Sequence, residues 1–163
     1  MMELDKSFME LAIAEAIKAH FEGDYPVGAV LVDASGKLIS KQGNRIIRDE
    51  NPAGHAEFLC LIEAAAKFKN RILPNGCTIY TTHEPCPMCA SMAVWTKPIR
   101  LIFGATINDM SEFRQNNPDK LNGFNWRTIN ISCQEVLKRS EPGENIKLIG
   151  SFMREECLKL FYL

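Results

Sequence analysis

The chain has 163 residues, a length typical of one domain, so we expect a single domain over residues 1–163. Its 46% hydrophobic and 24% charged residues are near globular averages, which excludes disordered, collagen-like and fibrous proteins. Nineteen Lys and Arg against twenty Asp and Glu give a net charge of −1, which excludes a strongly basic protein that binds long nucleic acid nonspecifically.

The first half of the chain predicts a helix, a β-hairpin and a second helix. Apolar side chains at helical spacing indicate the first helix, and β-rich residues on either side of the turn Asp33–Gly36 indicate the hairpin. A polar stretch with Pro52 and Gly54 indicates a loop that leads into an alanine-rich helix. The predicted elements are a helix over 4–21, strands over 27–32 and 37–43, a loop over 44–54 and a helix over 55–68.

The second half alternates strands with helices, which is typical of an α/β layered sheet with at least one parallel crossover. The predicted elements are strands over 77–82, 99–104 and 146–149 and helices over 86–95, 132–139 and 153–163. Between them, residues 106–130 predict a long loop that contains Phe124 and Trp126. Such a loop is usually functional or mobile, and we expect it to act as a lid over a site, with the two aromatic residues either covering a ligand or anchoring the loop.

Export and membrane insertion are not expected. The start at Met1–Asp5 is acidic where a signal peptide is basic, and no stretch approaches the ~18 apolar residues of a spanning helix. We therefore expect a cytoplasmic protein without a membrane partner. In that reducing compartment the six cysteines do not predict a disulfide framework, and only Cys86 and Cys89 are close enough in sequence to bind a metal or form a redox pair.

Two short motifs carry the chemistry: His55-Ala56-Glu57 and Pro85-Cys86-Pro87-Met88-Cys89. Cys86 and Cys89 are three residues apart at the start of a predicted helix, so both sulfurs project from one face, and the helix N-terminus favours their thiolate forms. With His55 they supply three protein ligands for one Zn²⁺ per chain. A tetrahedral zinc ion with three protein ligands keeps its fourth position open for water, which is the pattern of a catalytic site.

Glu57 is the predicted catalytic residue. It is two residues from His55, so on a helix it points to a different face and need not bind the metal. A carboxylate beside a zinc site can move protons between water and a substrate, which is general acid and base catalysis. His83 is more simply a residue at a strand end than a fourth ligand, and Glu84 is a candidate for holding the metal loop in place.

His-x-Glu followed by Pro-Cys-x-x-Cys is a zinc deaminase signature, and the chain resembles the cytidine deaminase-like superfamily from the first helix to about Gly104. The resemblance implies a three-layer α/β/α fold with a mixed five-stranded sheet, hydrolytic release of ammonia, and a homodimer. The stretches 43–45, 49–57 and 84–89 resemble the branch with guanine deaminases, yeast-type cytosine deaminases and tRNA adenosine deaminases. In that branch the side chain at Asn44 and the main-chain N–H at Ala56 contact the base.

The resemblance leaves several substrates open. Trp95, with Lys97-Pro98 after it, resembles bacterial guanine deaminases, in which an aromatic residue of this helix lines the base pocket; residues 141–162 resemble tRNA adenosine deaminases. Those tRNA enzymes usually extend a basic tail, whereas this chain stops at Leu163. We therefore expect a free nucleobase or nucleoside, with guanine favoured. Adenosine in tRNA and cytosine are the alternatives, and a noncatalytic zinc-binding partner subunit is the alternative of another class, which would not need Glu57.

Overall fold

The secondary structure follows the predicted order, with one added helix. A computed structural model of the chain describes residues 2–118, 127–141 and 145–163. Their elements are α1 (Met2–Phe21), β1 (Gly28–Val32), β2 (Leu38–Gly43), α2 (Ala56–Phe68), β3 (Thr78–His83), α3 (Pro87–Thr96), β4 (Arg100–Ala105), α4 (Ile107–Asn116), α5 (Cys133–Lys138), β5 (Lys147–Ile149) and α6 (Arg154–Leu158), with a 3₁₀ turn over Lys159–Tyr162. None of these helices combines the length and the apolar character that crossing a membrane requires.

The five strands form one mixed sheet in the order β2-β1-β3-β4-β5. β1 pairs antiparallel with β2 and with β3, while β3, β4 and β5 run parallel. Every residue of β1 and β3 is buried, as expected for strands with helices on both faces. The predicted three-layer α/β/α fold with a mixed five-stranded sheet is confirmed.

Helix α1 lies directly on the hairpin that leads to the site. Gly28 permits this contact, because a Cβ atom there would lie 2.0 Å from the carbonyl oxygen of Ala12. Nearer the N-terminus of α1, the buried Asp5 accepts hydrogen bonds from the Tyr80 hydroxyl at 2.5 Å and from Arg100 at 2.9 Å. These contacts join α1 to β1, β3 and β4, the three neighbouring strands at the centre of the sheet.

The predicted long loop over 106–130 is wrong in its first part, where the chain forms α4. The Thr106 hydroxyl accepts from the backbone N–H of Asp109 at 3.1 Å, and the Asp109 carboxylate accepts from the N–H of Thr106 at 2.8 Å, which completes a capping box. Ile107 and Phe113 then bury one face of the helix, and Phe113 stacks on Phe161. The lid prediction for Phe124 and Trp126 lies outside the described residues.

Asp109 also ties α4 to α6. Its carboxylate accepts from Arg154 Nε at 3.1 Å and from Arg154 Nη2 at 2.5 Å. Burial raises the pKa of Asp109, but the hydrogen bonds from Arg154 and Thr106 outweigh burial and leave the pKa below its ordinary value. The charged carboxylate is therefore the form that stabilises this junction.

We expect Asp109→Asn to lower the free energy of unfolding by about 1–2 kcal/mol at pH 7, because the amide keeps one acceptor but loses the charge. A carboxyl whose pKa is lowered by folding stabilises the protein above its unfolded pKa of ~3.9, and this contribution is lost as the pH falls through the folded value. The difference in urea unfolding between wild type and variant should therefore be larger at pH 7 than at pH 3. Glu155→Gln, which touches the same arginine from an exposed position, is the matched control and should change little. An equal difference at both pH values would contradict the role of the charge.

Candidate active site

Two helices begin at the same place, next to the end of β3. His55 is the N-cap residue of α2 and Cys86 is the N-cap residue of α3, and both have extended backbone conformations. Pro87 occupies the first turn of α3, where its missing N–H leaves no hydrogen bond unmade. The sequence thus places a histidine and a cysteine at the positive ends of two helices that meet, where the helix dipoles favour an anionic sulfur.

The structure brings the three predicted metal ligands together. Cys86 Sγ lies 3.7 Å from His55 Nδ1 and 3.7 Å from Cys89 Sγ, and all three donor atoms lie within 4.8 Å of one another. Tetrahedral zinc with ordinary bond lengths separates two sulfur ligands by about 3.8 Å and a sulfur from a nitrogen by about 3.6 Å. The spacing and the soft, mixed sulfur and nitrogen chemistry of this group therefore fit one zinc ion.

The surroundings of Cys86 favour its thiolate. A hydrogen bond from Cys89 lowers the pKa of the Cys86 thiol, burial opposes this effect, and His55 lowers the pKa further, so the net direction is downward. The same contact with Cys86, together with burial, raises the pKa of Cys89. The two sulfurs and the imidazole thus behave as one coupled group, and a thiolate is the form that coordinates zinc.

Glu57, the second residue of α2, is buried beside this group. Only 4% of its surface is exposed, and its Oε2 atom has no hydrogen-bond partner among the described residues. Burial raises the pKa of Glu57 to about 7, and the nearby His55 partly offsets the rise. A buried carboxylate with one unpaired oxygen is uncommon, and it points to an interaction with a group that binds in the adjacent cavity.

Glu57, His55 and Cys86 all line a cavity of about 220 Å³. Its apolar wall contains side chains that sequence reasoning did not identify: Tyr25, Val27, Ile46, Pro52 and Met110. Most of these residues lie in predicted loops or at the end of a predicted strand, where the sequence has no chemical motif that would mark them as part of a site. Met110 had a signal, because its spacing from Ile107 and Phe113 is helical. The cavity therefore combines apolar side chains with the donor group, as is typical of a site for a small planar ligand.

Polar residues complete the described lining. Asn44, Arg127, His83 and Glu84 belong to it. Both Glu84 oxygens accept backbone N–H groups, from Ile107 at 3.0 Å and from Cys133 at 2.9 Å. Burial lowers the pKa of His83 to about 3, and His83 is not a member of the metal-binding group found among the described residues.

Of the three predicted base contacts, Asn44, Ala56 and Trp95, the described lining of the cavity includes only Asn44. Asn44 Oδ1 accepts the backbone N–H of Ala56 at 2.8 Å, so these two groups bind each other, and the Asn44 amide NH₂ remains the donor that this side chain can offer a ligand. Trp95 is 66% exposed and does not line the cavity. The expected homodimer stays a prediction.

A buried carboxylate that sequence reasoning missed holds the loop between β2 and α2. Asp24 is fully buried, and its Oδ2 atom accepts the backbone N–H groups of Ile47 at 2.8 Å and Arg48 at 3.1 Å. Its Oδ1 atom accepts the N–H of Tyr25 at 2.8 Å. Asp24 thus fixes the loop that carries Ile46 and Pro52 into the cavity wall. Its loop partners Ile47 and Arg48 are 23 and 24 residues away in sequence, so no local pattern could have predicted this role.

The fold and the His-Cys-Cys group define a zinc-dependent hydrolase of the class that deaminates nucleobases or nucleosides. The chain belongs to the family described as the cytidine and deoxycytidylate deaminase zinc-binding region, whose model matches residues 2–105. The predicted superfamily is thereby confirmed, and zinc is the cofactor of this family.

Some individual relatives match well beyond the zinc-binding region, and others match about as much of the chain as that region. A tRNA-specific adenosine deaminase of Bacillus subtilis is 39% identical over 156 residues, 96% of this chain and 85% of that protein. One of Haemophilus influenzae is 40% identical over 104 residues, 64% of this chain and 60% of that protein. A guanine deaminase structure from Nitrosomonas europaea, 24% identical, covers 98% of this chain and 81% of that chain with a TM-score of 0.70, which supports the fold.

Proposed function

We propose that this protein is a zinc-dependent deaminase that converts adenosine in tRNA to inosine, with His55, Cys86 and Cys89 as the metal ligands and Glu57 as the catalytic residue. The observation that carries the proposal is the spacing of the three donor atoms beside the unpaired, buried oxygen of Glu57. The reaction adds water to the ring carbon that bears the amine and releases ammonia.

Zinc bound at this group would lower the pKa of water at its open fourth position toward neutrality and so supply the nucleophile. The residues of the chain supply the rest. Glu57 Oε2 accepts a proton from the attacking water and delivers it to the neighbouring ring nitrogen. It then takes the remaining proton of the added hydroxyl and passes it to the amine, so that the C–N bond breaks, ammonia leaves and the ring carbon becomes a carbonyl. Its burial keeps bulk water away from this exchange, and the Asn44 amide NH₂ holds the ring by donating to a nitrogen acceptor.

Adenosine is supported over guanine, the substrate favoured by the sequence motifs, on two grounds. A relative that is 39% identical over almost the whole chain is a tRNA-specific adenosine deaminase, whereas the guanine deaminase similarity supports the fold alone. In addition, the described lining contains two carboxylates, Glu57 and Glu84, and both oxygens of Glu84 already accept backbone N–H groups. Guanine carries a ring N–H beside its reacting carbon that needs an acceptor when buried, whereas the adenine ring of adenosine has no such donor.

An RNA substrate is supported by Arg127. This residue is exposed and lines the cavity that contains Glu57. Arginine is the side chain best suited to pair with a phosphate in two places at once, and phosphate contacts position a nucleic acid without reading its sequence. Arg127 can therefore bind the backbone next to the reacting nucleoside, although the net charge of the chain is close to zero.

We expect Glu57→Gln to keep its zinc but lose turnover by about 10²–10⁴-fold, because the amide cannot carry the proton. Cys86→Ala should lose the metal as well as turnover, since one of three ligands is gone. Elemental analysis and ammonia release measured on the same preparations separate the two effects. Cys77→Ala, which removes a buried thiol outside the metal group, is the control and should keep both. Wild-type turnover in Glu57→Gln would overturn the role of this carboxylate.

A substrate panel tests the proposed specificity. Ammonia release should be fastest with tRNA, and nucleoside analysis of that tRNA should show inosine in place of adenosine. Guanine, guanosine, cytosine, cytidine, adenine and free adenosine should be much slower, because none of them offers Arg127 a neighbouring phosphate. Faster turnover of guanine than of tRNA would restore the guanine hypothesis, and release of no ammonia from any compound would favour the noncatalytic partner subunit.

A further inference from the structure

Glu84 lies at the junction between the sheet and the metal loop. It follows β3 directly and precedes Cys86 by two residues, and only 8% of its surface is exposed. Its backbone N–H donates to the carbonyl oxygen of Ala105 at 2.7 Å, which continues the pairing of β3 with β4 beyond the last strand residue. The main chain of Glu84 is therefore held by the sheet, and its side chain extends from a fixed point.

The carboxylate of Glu84 joins two helices to that point. Oε2 accepts the N–H of Ile107, the first residue of α4, and Oε1 accepts the N–H of Cys133, the first residue of α5. The first N–H groups of a helix have no partner within the helix, and a carboxylate satisfies them with charge-assisted hydrogen bonds. Ile107 and Cys133 are both buried, so water does not replace the carboxylate there.

Both helices are connected to the cavity wall. Met110 lies one turn into α4, and Arg127 precedes α5 by six residues. The positions of Met110 and Arg127 relative to the metal ligands therefore depend on the starts of these two helices. Glu84 sets both starts from a point two residues before Cys86.

We propose that Glu84 is a positioning residue that fixes the substrate-facing wall of the cavity relative to the metal loop, and that it determines substrate affinity rather than metal affinity. The proposal rests on the proposed deaminase function for its kinetic readout only. Both Glu84 oxygens are engaged by backbone groups, so the side chain acts through α4 and α5 and not by contacting the reacting atoms.

Glu84→Gln tests the carboxylate with almost no change in volume. The amide has one acceptor oxygen, and its NH₂ group would face a second N–H donor, so one of the two helix starts must lose its bond. We expect KM to rise at least about tenfold while kcat changes little, because a displaced wall weakens ground-state and transition-state binding alike. The zinc content should stay at that of the wild type.

Removal of the backbone donor in the hydrogen bond between Cys133 and Glu84 gives an independent test. Cys133→Pro removes the N–H donor to Glu84, and proline is well tolerated at the first position of a helix. Ser132 before it has φ −67° and ψ 153°, the extended conformation that a following proline requires. Cys133→Ala is the matched control, because it removes the same buried sulfur but keeps the N–H. Only the proline variant should raise KM.

Hydrogen exchange provides a readout without substrate. Segment 107–116, segment 133–138 or both should exchange faster in Glu84→Gln than in wild type, and segment 133–138 should exchange faster in Cys133→Pro than in Cys133→Ala. This measurement decides the positioning role even when the wild type deaminates no compound of the panel, which would refute the proposed function alone.

Several outcomes would overturn the proposal. Wild-type KM and exchange in a folded Glu84→Gln protein would show that the bridge does not position the wall. Equal rises in KM for Cys133→Pro and Cys133→Ala would assign the effect to packing. Loss of zinc at unchanged KM, or failure of both Glu84→Gln and Cys133→Pro to fold, would make Glu84 a support of the metal loop or of the whole fold instead.

Discussion

His55 and Cys86 each occupy the N-cap position of a helix, and the two caps lie with their donor atoms 3.7 Å apart. Two positive helix ends that converge favour an anionic sulfur, and Cys89, one turn along α3, adds the second sulfur to the same corner. The remaining features of the site depend on this meeting point. Glu57 lies beside it because α2 starts there, and the cavity opens over it because β3 ends there.

The walls around this corner are held by buried carboxylates that have no chemical role of their own. Asp24 fixes the loop between β2 and α2 through backbone N–H groups, and Glu84 fixes the starts of α4 and α5. Each carboxylate is satisfied by main-chain donors, which lets it remain buried. Glu57 differs from both in having an unpaired oxygen, and this contrast separates the carboxylate proposed as catalytic from the two that position the walls.

Local patterns in the sequence were sufficient for the strands, for the helices other than α4 and for the two short motifs, because each depends on residues a few positions apart. His55 lies 31 positions from Cys86, and it was the zinc deaminase signature that joined it to the two cysteines. The capping pair Thr106 and Asp109 was an available local signal for α4, but the surrounding Asn and Asp residues favoured a loop. Local patterns could not predict contacts between distant parts of the chain, such as the hydrogen bond between Glu84 and Cys133, which are 49 positions apart. Trp95 shows a different limit: its candidacy rested on the resemblance to guanine deaminases, and the described lining of the cavity does not include it.

X-ray absorption at the zinc edge tests the central claim most directly, because it reports the atoms bound to the metal without relying on turnover. The account predicts two sulfur neighbours at about 2.3 Å and two nitrogen or oxygen neighbours at about 2.0–2.1 Å, consistent with the two cysteines, His55 and one exchangeable oxygen. Four sulfur neighbours, or none, would contradict it.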